Sequence, residues 1–232
     1  IGMRKRDFTY ELVSNGIALP ATFEGQLEAG AKRMYDVWHF FLGTAKLRKA
    51  KINVLLIPDE DKFNAYHASL SPGGKPVNGF YSMKQNQAVV SYNTQAPQHA
   101  LRTTFHEVSH LITASHLGPT PPWLTEGLAE YFENMKVAGQ AASIAPNQQH
   151  LKRLTKTTLP SLSEYLLLER TEWHGEHRSR NYAIAWSLTH FLLESAPGMY
   201  ALQSVIRQFE EHFCKPFSAV NALDEAYPGG ID

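Results

Sequence analysis

The amino-acid sequence predicts an α+β fold, with a small mixed sheet in the first half of the chain and mostly helices in the second. Three observations support this prediction. The run "KINVLLI", rich in β-branched residues and closed by Pro58, is typical of a buried strand. The segment "FYSMKQNQAVVSY" predicts two short strands around a turn at 84–87. From Pro97 onward, apolar residues recur every three to four positions, which indicates helices.

The first predicted element is an amphipathic helix in "ATFEGQLEAGAKRMYDVWHFFLG", which Gly43 should end. After the strands, the sequence predicts a helix from Pro97 to about Leu117 and a second one, with Thr120 as its N-cap, to Asn134. A loose connection, "VAGQAASIAPNQQH", follows and is the candidate internal boundary. The segments beyond it are expected to be helical: "LSEYLLLE", "RNYAIAWSLTHFLLES", "MYALQSVIRQFEEHF" and "FSAVNALDEAY".

Composition and charge exclude several classes of function. The chain has 22 basic and 22 acidic residues, so nothing in its charge predicts a nucleic-acid partner. Cys214 is the single cysteine, which excludes an internal disulfide framework and a multi-cysteine metal site. No apolar run approaches the roughly 18 residues of a membrane-spanning helix, and the opening segment shows no signal peptide. We therefore expect no integral membrane segment.

The segment "HEVSH" places two histidines and a glutamate on the helix that begins near Pro97. His106 and His110 are four residues apart, so they lie on one helix face, about 6 Å apart along the axis. Glu107 lies too far round to bind the same ion easily, but it can reach a water molecule on that ion. This is the H-E-x-x-H zinc pattern, in which the glutamate is the general base. The opposite face carries an apolar ridge of Leu101, Phe105, Val108 and Ile112.

A catalytic zinc ion needs three protein ligands and one open position, and two residues compete for the third place. His116 has the spacing of H-E-x-x-H-x-x-G-x-x-H, in which a glycine breaks the helix. Thr113 occupies that glycine position, so the helix should continue and carry His116 about 9 Å along the axis, beyond the ion. Glu126 lies on the next helix, which the break at "LGPTPP" allows to return beside the first. On that helix Glu126, Glu130 and Glu133 share one face.

These motifs resemble the gluzincin zinc metallopeptidases, the clan of thermolysin and aminopeptidase N. The resemblance rests on "HEVSH" followed by "PPWLTEGLAEYFE", which is similar to the W-L-x-E-G-x-x-x-Y-x-E segment of aminopeptidase N-like members and to compact bacterial peptidase-MA-like domains. It implies Zn²⁺ as cofactor and Glu126 as the third ligand. It also implies that Glu130 holds His106 by a hydrogen bond to its other ring nitrogen. The implied fold is a single zincin-like domain over 1–232. Its α/β half, 1–118, carries the active-site helix, and its helical half, 119–232, carries the third ligand.

The resemblance also implies a donor for the oxyanion of the tetrahedral species. "RNYAIAWSLTHFLLE" is similar to the clan's helix with a tyrosine near its start, which implies Tyr182 in that role, although Ala185 replaces the usual glycine. A tyrosine that only packs its ring at a helix start is the other interpretation. The alternative donors are His174, His177 and His190.

Gluzincins hold extended peptides against an edge strand, which implies Gly79, Phe80 and Tyr81 as substrate-binding residues. Aminopeptidases of the clan carry G-x-M-E-N at this place, and its glutamate binds the α-amino group of the substrate. The segment "GFYSM" has no acidic residue. This departure favours an endopeptidase over an aminopeptidase.

The sequence therefore predicts a zinc-dependent peptidase that acts on a peptide or protein substrate. Glu107 is expected to take a proton from a water molecule that the metal activates, and to pass it to the leaving amine. Two alternatives remain open: a catalytically idle domain that binds zinc and peptides, and a zinc hydrolase that acts on a non-peptide bond. Because the clan is often exported, the resemblance favours an extracytoplasmic location.

Overall fold

The computed structural model describes residues 8–41, 49–74, 76–139, 141–213 and 215–231. In this part of the chain the fold is α+β, with a mixed sheet in the first half and helices over most of the second. The predicted fold class is confirmed at this level. Gly43, expected to end the first helix, and Cys214 lie outside the described residues.

The main sheet has strand order β1-β2-β4-β3. Its strands are β1 (Phe8–Val13), β2 (Ala50–Ile57), β3 (Gly79–Ser82) and β4 (Gln87–Ser91). Strands β1, β2 and β4 run parallel, whereas β3 returns antiparallel to β4 through a tight turn at 83–86. The strands β2, β3 and β4 match the predictions, and β1 is not among the predicted strands. Strand β3 forms one edge of the sheet, beside the helix that carries "HEVSH".

The helices of the first half cover the sheet. They are α1 (Ala21–Asp36), which continues as a π-helical turn at Val37–Phe41, then α2 (Glu60–Leu70) and α3 (Pro97–Leu117). The bounds of α3 agree with the prediction, and Gly118 ends the helix at a φ of 73°, a conformation that glycine adopts without strain. The predicted ridge from Leu101 to Ile112 is buried in the main hydrophobic cluster, between α1 and the sheet.

The second half is mostly helical. Its helices are α4 (Pro122–Glu133), α5 (Gln148–Leu154), α6 (Leu162–Leu166), α7 (Arg170–Trp173), α8 (Arg178–Glu194), α9 (Ala196–Glu211) and α10 (Ala219–Ala226). The prediction of a loose connection after α4 is wrong, because a hairpin of β5 (Met135–Ala138) and β6 (Ala141–Ile144) lies there. The predicted N-cap is also wrong: Pro121 holds that position in α4, and the Thr120 hydroxyl contacts the Thr125 hydroxyl instead.

Helix α4 lies between α3 and α8, and these contacts join the two halves of the chain. The main hydrophobic cluster accordingly includes Phe105 on α3, Leu128 on α4 and Leu192 on α8. Among the described residues, no helix has both the length and the apolar character needed to cross a membrane. The packing of α4 against α3 brings the two predicted metal-binding segments face to face.

Candidate metal centre

The two histidines of "HEVSH" lie side by side on the face of α3 that is turned away from the apolar ridge. Because α3 is regular around them, the four-residue spacing places their ring centroids 4.8 Å apart. The opposite face of the helix packs into the core, so α3 cannot rotate these rings elsewhere without exposing buried apolar side chains. The side chains of His106 and His110 are only 13% and 14% exposed.

Glu126 completes a triangle of ligand atoms with these histidines. Its Oε2 atom lies 3.5 Å from Nε2 of His106 and 3.5 Å from Nε2 of His110. A tetrahedral zinc ion with N and O ligands at about 2.1 Å separates those ligand atoms by about 3.4 Å. Oε2 of Glu126 is also buried and has no hydrogen-bond partner among the described residues. Two imidazoles and one carboxylate at this spacing therefore fit a zinc ion.

Charge and burial shift the pKa values of the groups around the triangle. Burial by itself raises the pKa of Glu126, but the charges of His110 and His106 outweigh it and hold the pKa well below its usual range. Burial also lowers the pKa of His106, but the carboxylates of Glu126 and Glu133 raise it well above its usual value. For Glu107 burial prevails: it raises the pKa, and the two histidines oppose this only in part. A glutamate with a raised pKa suits a role in accepting and returning a proton.

A hydrogen bond holds the other ring nitrogen of His106, but it comes from a different residue than predicted. Nδ1 of His106 lies 3.1 Å from Oε2 of Glu133, and it is 3.8 Å from Oε1 of Glu130, too far for a hydrogen bond. Oε2 of Glu130 instead lies 2.7 Å from Nε2 of the buried His150. Glu133 also lies 3.6 Å from the guanidinium of Arg102. Because of the way α3 crosses α4, the carboxylate of Glu133 lies behind the ring of His106. The residue that holds His106 is therefore Glu133, and the assignment to Glu130 is corrected.

The competing ligand, His116, lies away from the triangle. Its ring packs in the core, 5.9 Å from the ring of Tyr35 and 5.6 Å from that of Trp38, measured between centroids. Thr113 does not break α3, which continues to Leu117 as predicted for a helix without the glycine. Ligand atoms of His106, His110 and Glu126 all lie within 4.8 Å of one another, as do those of His106, Glu130 and Glu133, and His116 belongs to neither group.

The triangle lies on the wall of an open cleft with a volume of about 400 Å³. The edge strand β3 supplies the facing wall, so the predicted substrate-binding residues Gly79, Phe80 and Tyr81 line the same cleft as the triangle. At Gly79 the strand packs tightly on α3. A Cβ atom there would lie 2.6 Å from Cγ2 of Thr103 and 3.1 Å from Cγ of Glu107. Glycine thus allows β3 to approach the glutamate closely.

Tyr182 lies near the N-terminus of α8 and lines this cleft. The ring of Tyr182 packs 4.7 Å from the ring of Trp173, and the guanidinium of Arg178 lies 5.3 Å from its centroid. Burial raises the pKa of the Tyr182 hydroxyl, and the nearby charge of Glu126 raises it further. The hydroxyl therefore stays protonated at neutral pH and is able to donate a hydrogen bond in the cleft.

The alternative donors are placed less favourably. His190 contacts the rings of Tyr131 and Trp186, and it is not among the residues that line the cleft. His177 is exposed and occupies the N-cap of α8, and His174 packs against Trp173. None of the three lines the cleft, whereas Tyr182 does.

Sequence reasoning missed two features of the site. One is the pair of arginines, Arg170 and Arg178, that line the cleft. The spacing of Arg178, four residues before Tyr182, could have placed both residues on one helix face. The other is the Glu130–His150 pair beneath α4. No sequence signal links these two residues, because the short helix α5 approaches α4 only through the packing of the second half.

Part of the chain is similar to a family without an assigned activity. Residues 101–212, from α3 to the end of α9, match the model of a family described as a protein of unknown function (DUF1570). No curated protein matches the chain. The match includes His106, His110, Glu126, Glu107, Tyr182 and both cleft arginines, and it provides no support of its own for the gluzincin resemblance.

Proposed function

We propose that this chain, whose residues 101–212 match a family of unknown function, is a zinc-dependent peptidase. One observation carries the proposal: three ligand atoms, from the partly buried His106 and His110 and the buried Glu126, converge at zinc-binding distances in a cleft that also contains the carboxylate of Glu107. A site that only bound metal would have no use for a buried acid beside the ligands.

A bound zinc ion would lower the pKa of a water molecule toward about 7 and polarise the substrate carbonyl. The chain supplies the proton transfers. Glu107 is buried beside the ligands, and its carboxylate is the group in the cleft that accepts a proton from the attacking water. The same carboxylate then gives the proton to the nitrogen of the leaving amine, so that Glu107 ends the cycle ionised.

Strand β3 is suited to hold an extended peptide. Its other side pairs with β4, and the edge that faces the cleft has no neighbouring strand within the described sheet. A peptide could therefore add to this edge through main-chain hydrogen bonds. No carboxylate on β3 is present to bind a substrate amino group, which supports cleavage inside a chain over removal of its first residue.

Tyr182 is assigned to the oxyanion that forms when the carbonyl is attacked. Its hydroxyl lies in a cleft where burial and carboxylate charge keep it protonated. A donor that is already in place stabilises developing negative charge without reorganisation. Phe80 and Tyr81 on the opposite wall then position the peptide between β3 and α8.

The ligand assignment is tested by the zinc content of the purified wild-type chain beside Glu126→Ala and His116→Ala. We expect stoichiometric zinc in the wild type, nearly the same amount in His116→Ala, and almost none in Glu126→Ala. Far-UV circular dichroism checks that each variant is folded. Loss of zinc in His116→Ala with retention in Glu126→Ala would reverse the assignment.

The reaction is tested with a quenched fluorescent peptide library and the variant Glu107→Gln. We expect the wild type to cleave peptides and Glu107→Gln to keep its zinc while turnover falls at least about a hundredfold. Full activity in Glu107→Gln refutes the role of the base. A wild-type chain that holds zinc and binds peptides, yet cleaves none, is an idle binding domain.

A further inference from the structure

The cleft contains two positive charges that the proposed reaction does not use. Arg170 begins α7 and Arg178 begins α8, and both side chains line the cleft that holds the metal triangle. Within the described residues, neither guanidinium forms an ion pair with a carboxylate, whereas Arg102 outside this cleft does. When an arginine in a concave site has no carboxylate partner, the N–H groups of its guanidinium remain available to bind an anionic group of a ligand.

Arg178 is held in a defined position. Its guanidinium lies 5.3 Å from the ring centroid of Tyr182, a cation–π geometry that fixes the side chain on the wall of α8. It also lines the smaller cavity that continues from the cleft past Glu107 and Glu130. A planar guanidinium held on an aromatic ring still offers its N–H groups at the rim, where a carboxylate can accept two of them.

Arg170 marks the place where the cleft opens into a second groove. This groove has a volume of about 580 Å³ and shares Pro119, Thr120 and Arg170 with the cleft. Most of the residues that line it are apolar, including Phe217 and Leu167, which is 67% exposed, and the charged residues Glu169 and Lys215 also line it. Arg170 therefore lies where the cleft meets this groove, whereas Arg178 lines the cleft and its smaller continuation.

We propose that Arg170 and Arg178 bind a carboxylate of the substrate in the cleft that also contains His106, His110 and Glu126. The inference rests on the proposed peptidase function and names its substrate class: peptides with a negative charge near the cleaved bond. The carboxylate is either the C-terminus of the peptide or the side chain of an aspartate or glutamate, and both present the same pair of oxygen atoms. The apolar groove then receives the residue beside that carboxylate.

The test measures peptide binding separately from cleavage, with zinc-loaded Glu107→Gln as the background so that peptides are not consumed. Three fluorescein-labelled libraries of randomised octapeptides serve as probes. One has a free C-terminal acid and no aspartate or glutamate, one has a C-terminal amide with one acidic residue, and one has the amide and no acidic residue. Fluorescence anisotropy gives the affinities.

We expect at least one acidic library to bind about tenfold more tightly than the neutral amide library, as one charge-assisted contact provides. Adding Arg178→Gln should remove most of this preference and Arg178→Lys should keep part of it, while urea midpoints confirm folding. Arg207→Gln, an exposed arginine on α9, is the matched control and should change nothing. A preference for the free acid identifies a C-terminal carboxylate, and a preference for the internal acid identifies a side chain.

Equal affinity for all three libraries, binding of none of them, or a preference that survives both Arg170→Gln and Arg178→Gln overturns the inference. Cleavage assays with the wild type separate this result from the proposed function. If acidic libraries bind preferentially and none is cleaved, carboxylate binding stands and the peptidase proposal fails. If all three libraries bind equally and the neutral library is cleaved as well as the acidic ones, the peptidase proposal stands and the carboxylate inference fails.

Discussion

Nδ1 of His106 on α3 lies 3.1 Å from Oε2 of Glu133, the last residue of α4. This contact holds the imidazole from behind while its Nε2 faces Glu126 at 3.5 Å. A carboxylate at Nδ1 fixes the ring orientation and keeps the proton on that nitrogen, which leaves Nε2 free to bind a metal. The last turn of α4 therefore orients one proposed zinc ligand on α3, while the first half of α4 supplies another proposed ligand, Glu126.

The first prediction concerns this contact. Glu133→Gln removes the negative charge behind His106, so zinc affinity should fall by about tenfold or more. Competition with a chromophoric chelator measures the change. Glu130→Gln is the matched control, because its carboxylate is 3.8 Å from Nδ1 and is hydrogen-bonded to His150. A larger loss of affinity in Glu130→Gln than in Glu133→Gln would contradict the assignment.

The second prediction concerns removal of the metal. A ligand present at about 100 times its dissociation constant stabilises the fold by about 2.7 kcal/mol, and in a chain of this size each kcal/mol shifts the melting temperature by about 2–4 °C. A strong chelator should therefore lower the melting temperature of the wild type by about 5–10 °C. Glu126→Ala should melt at one temperature with or without chelator. Identical melting of the wild type in both conditions would argue against a zinc site.

The fold could be predicted where a local pattern decides the structure. Helix α3 has the predicted bounds because its apolar ridge repeats at helical spacing and Gly118 ends it. Strand β1 was missed because its pairing joins Phe8 with Ala50, far apart in the sequence, and only that contact makes the strand. The hairpin β5–β6 was not predicted because "VAGQAASI" is rich in alanine and glycine, which favour strands only weakly. The strands form there through main-chain pairing, which the sequence pattern does not reveal.

The candidate site could also be predicted only where a local pattern decides the structure. His106 and His110 follow from one regular helix, but the partner of His106 depends on how α3 crosses α4. Glu130 and Glu133 lie about 60° apart on one helix face, so the sequence pattern alone cannot decide which of them contacts His106. Only the packed structure shows that Glu133 makes the hydrogen bond. For the same reason the position of Arg178 in the cleft could not be predicted from the sequence, because it depends on the packing of α8 against α4.

The third prediction concerns the contact between β3 and the proposed base. Gly79→Ala introduces a Cβ atom 2.6 Å from Cγ2 of Thr103 and 3.2 Å from Oε1 of Glu107, so one of them must move. Because small displacements of a catalytic group reduce the rate strongly, kcat should fall by about tenfold while zinc content stays normal. Steady-state kinetics and metal analysis measure the two quantities. The double variant Gly79→Ala/Thr103→Ser removes the nearest methyl group and should recover part of the rate. Unchanged kcat in Gly79→Ala would show that β3 does not constrain Glu107.

The last prediction concerns the contact between α4 and α8. Gly127 follows the third ligand, and a Cβ atom there would lie 2.8 Å from the backbone oxygen of Ala185 and would overlap the hydroxyl of Thr189. Backbone atoms cannot move aside as a flexible side chain does, so Gly127→Ala should push the two helices apart. Overpacking of this kind reduces the free energy of unfolding by about 1–3 kcal/mol, which urea denaturation measures. Gly25→Ala is the matched helical control, because a Cβ atom at Gly25 meets nothing within 4 Å.

The displacement in Gly127→Ala should also separate metal binding from turnover. The three proposed ligands lie on α3 and α4, so zinc content should remain close to that of the wild type. Tyr182 and Arg178 lie on α8, so moving this helix should reduce kcat/KM while the metal stays bound. Loss of zinc together with activity would show that α8 supports the ligands themselves. Full activity with reduced stability would show that the reaction does not depend on the position of Tyr182.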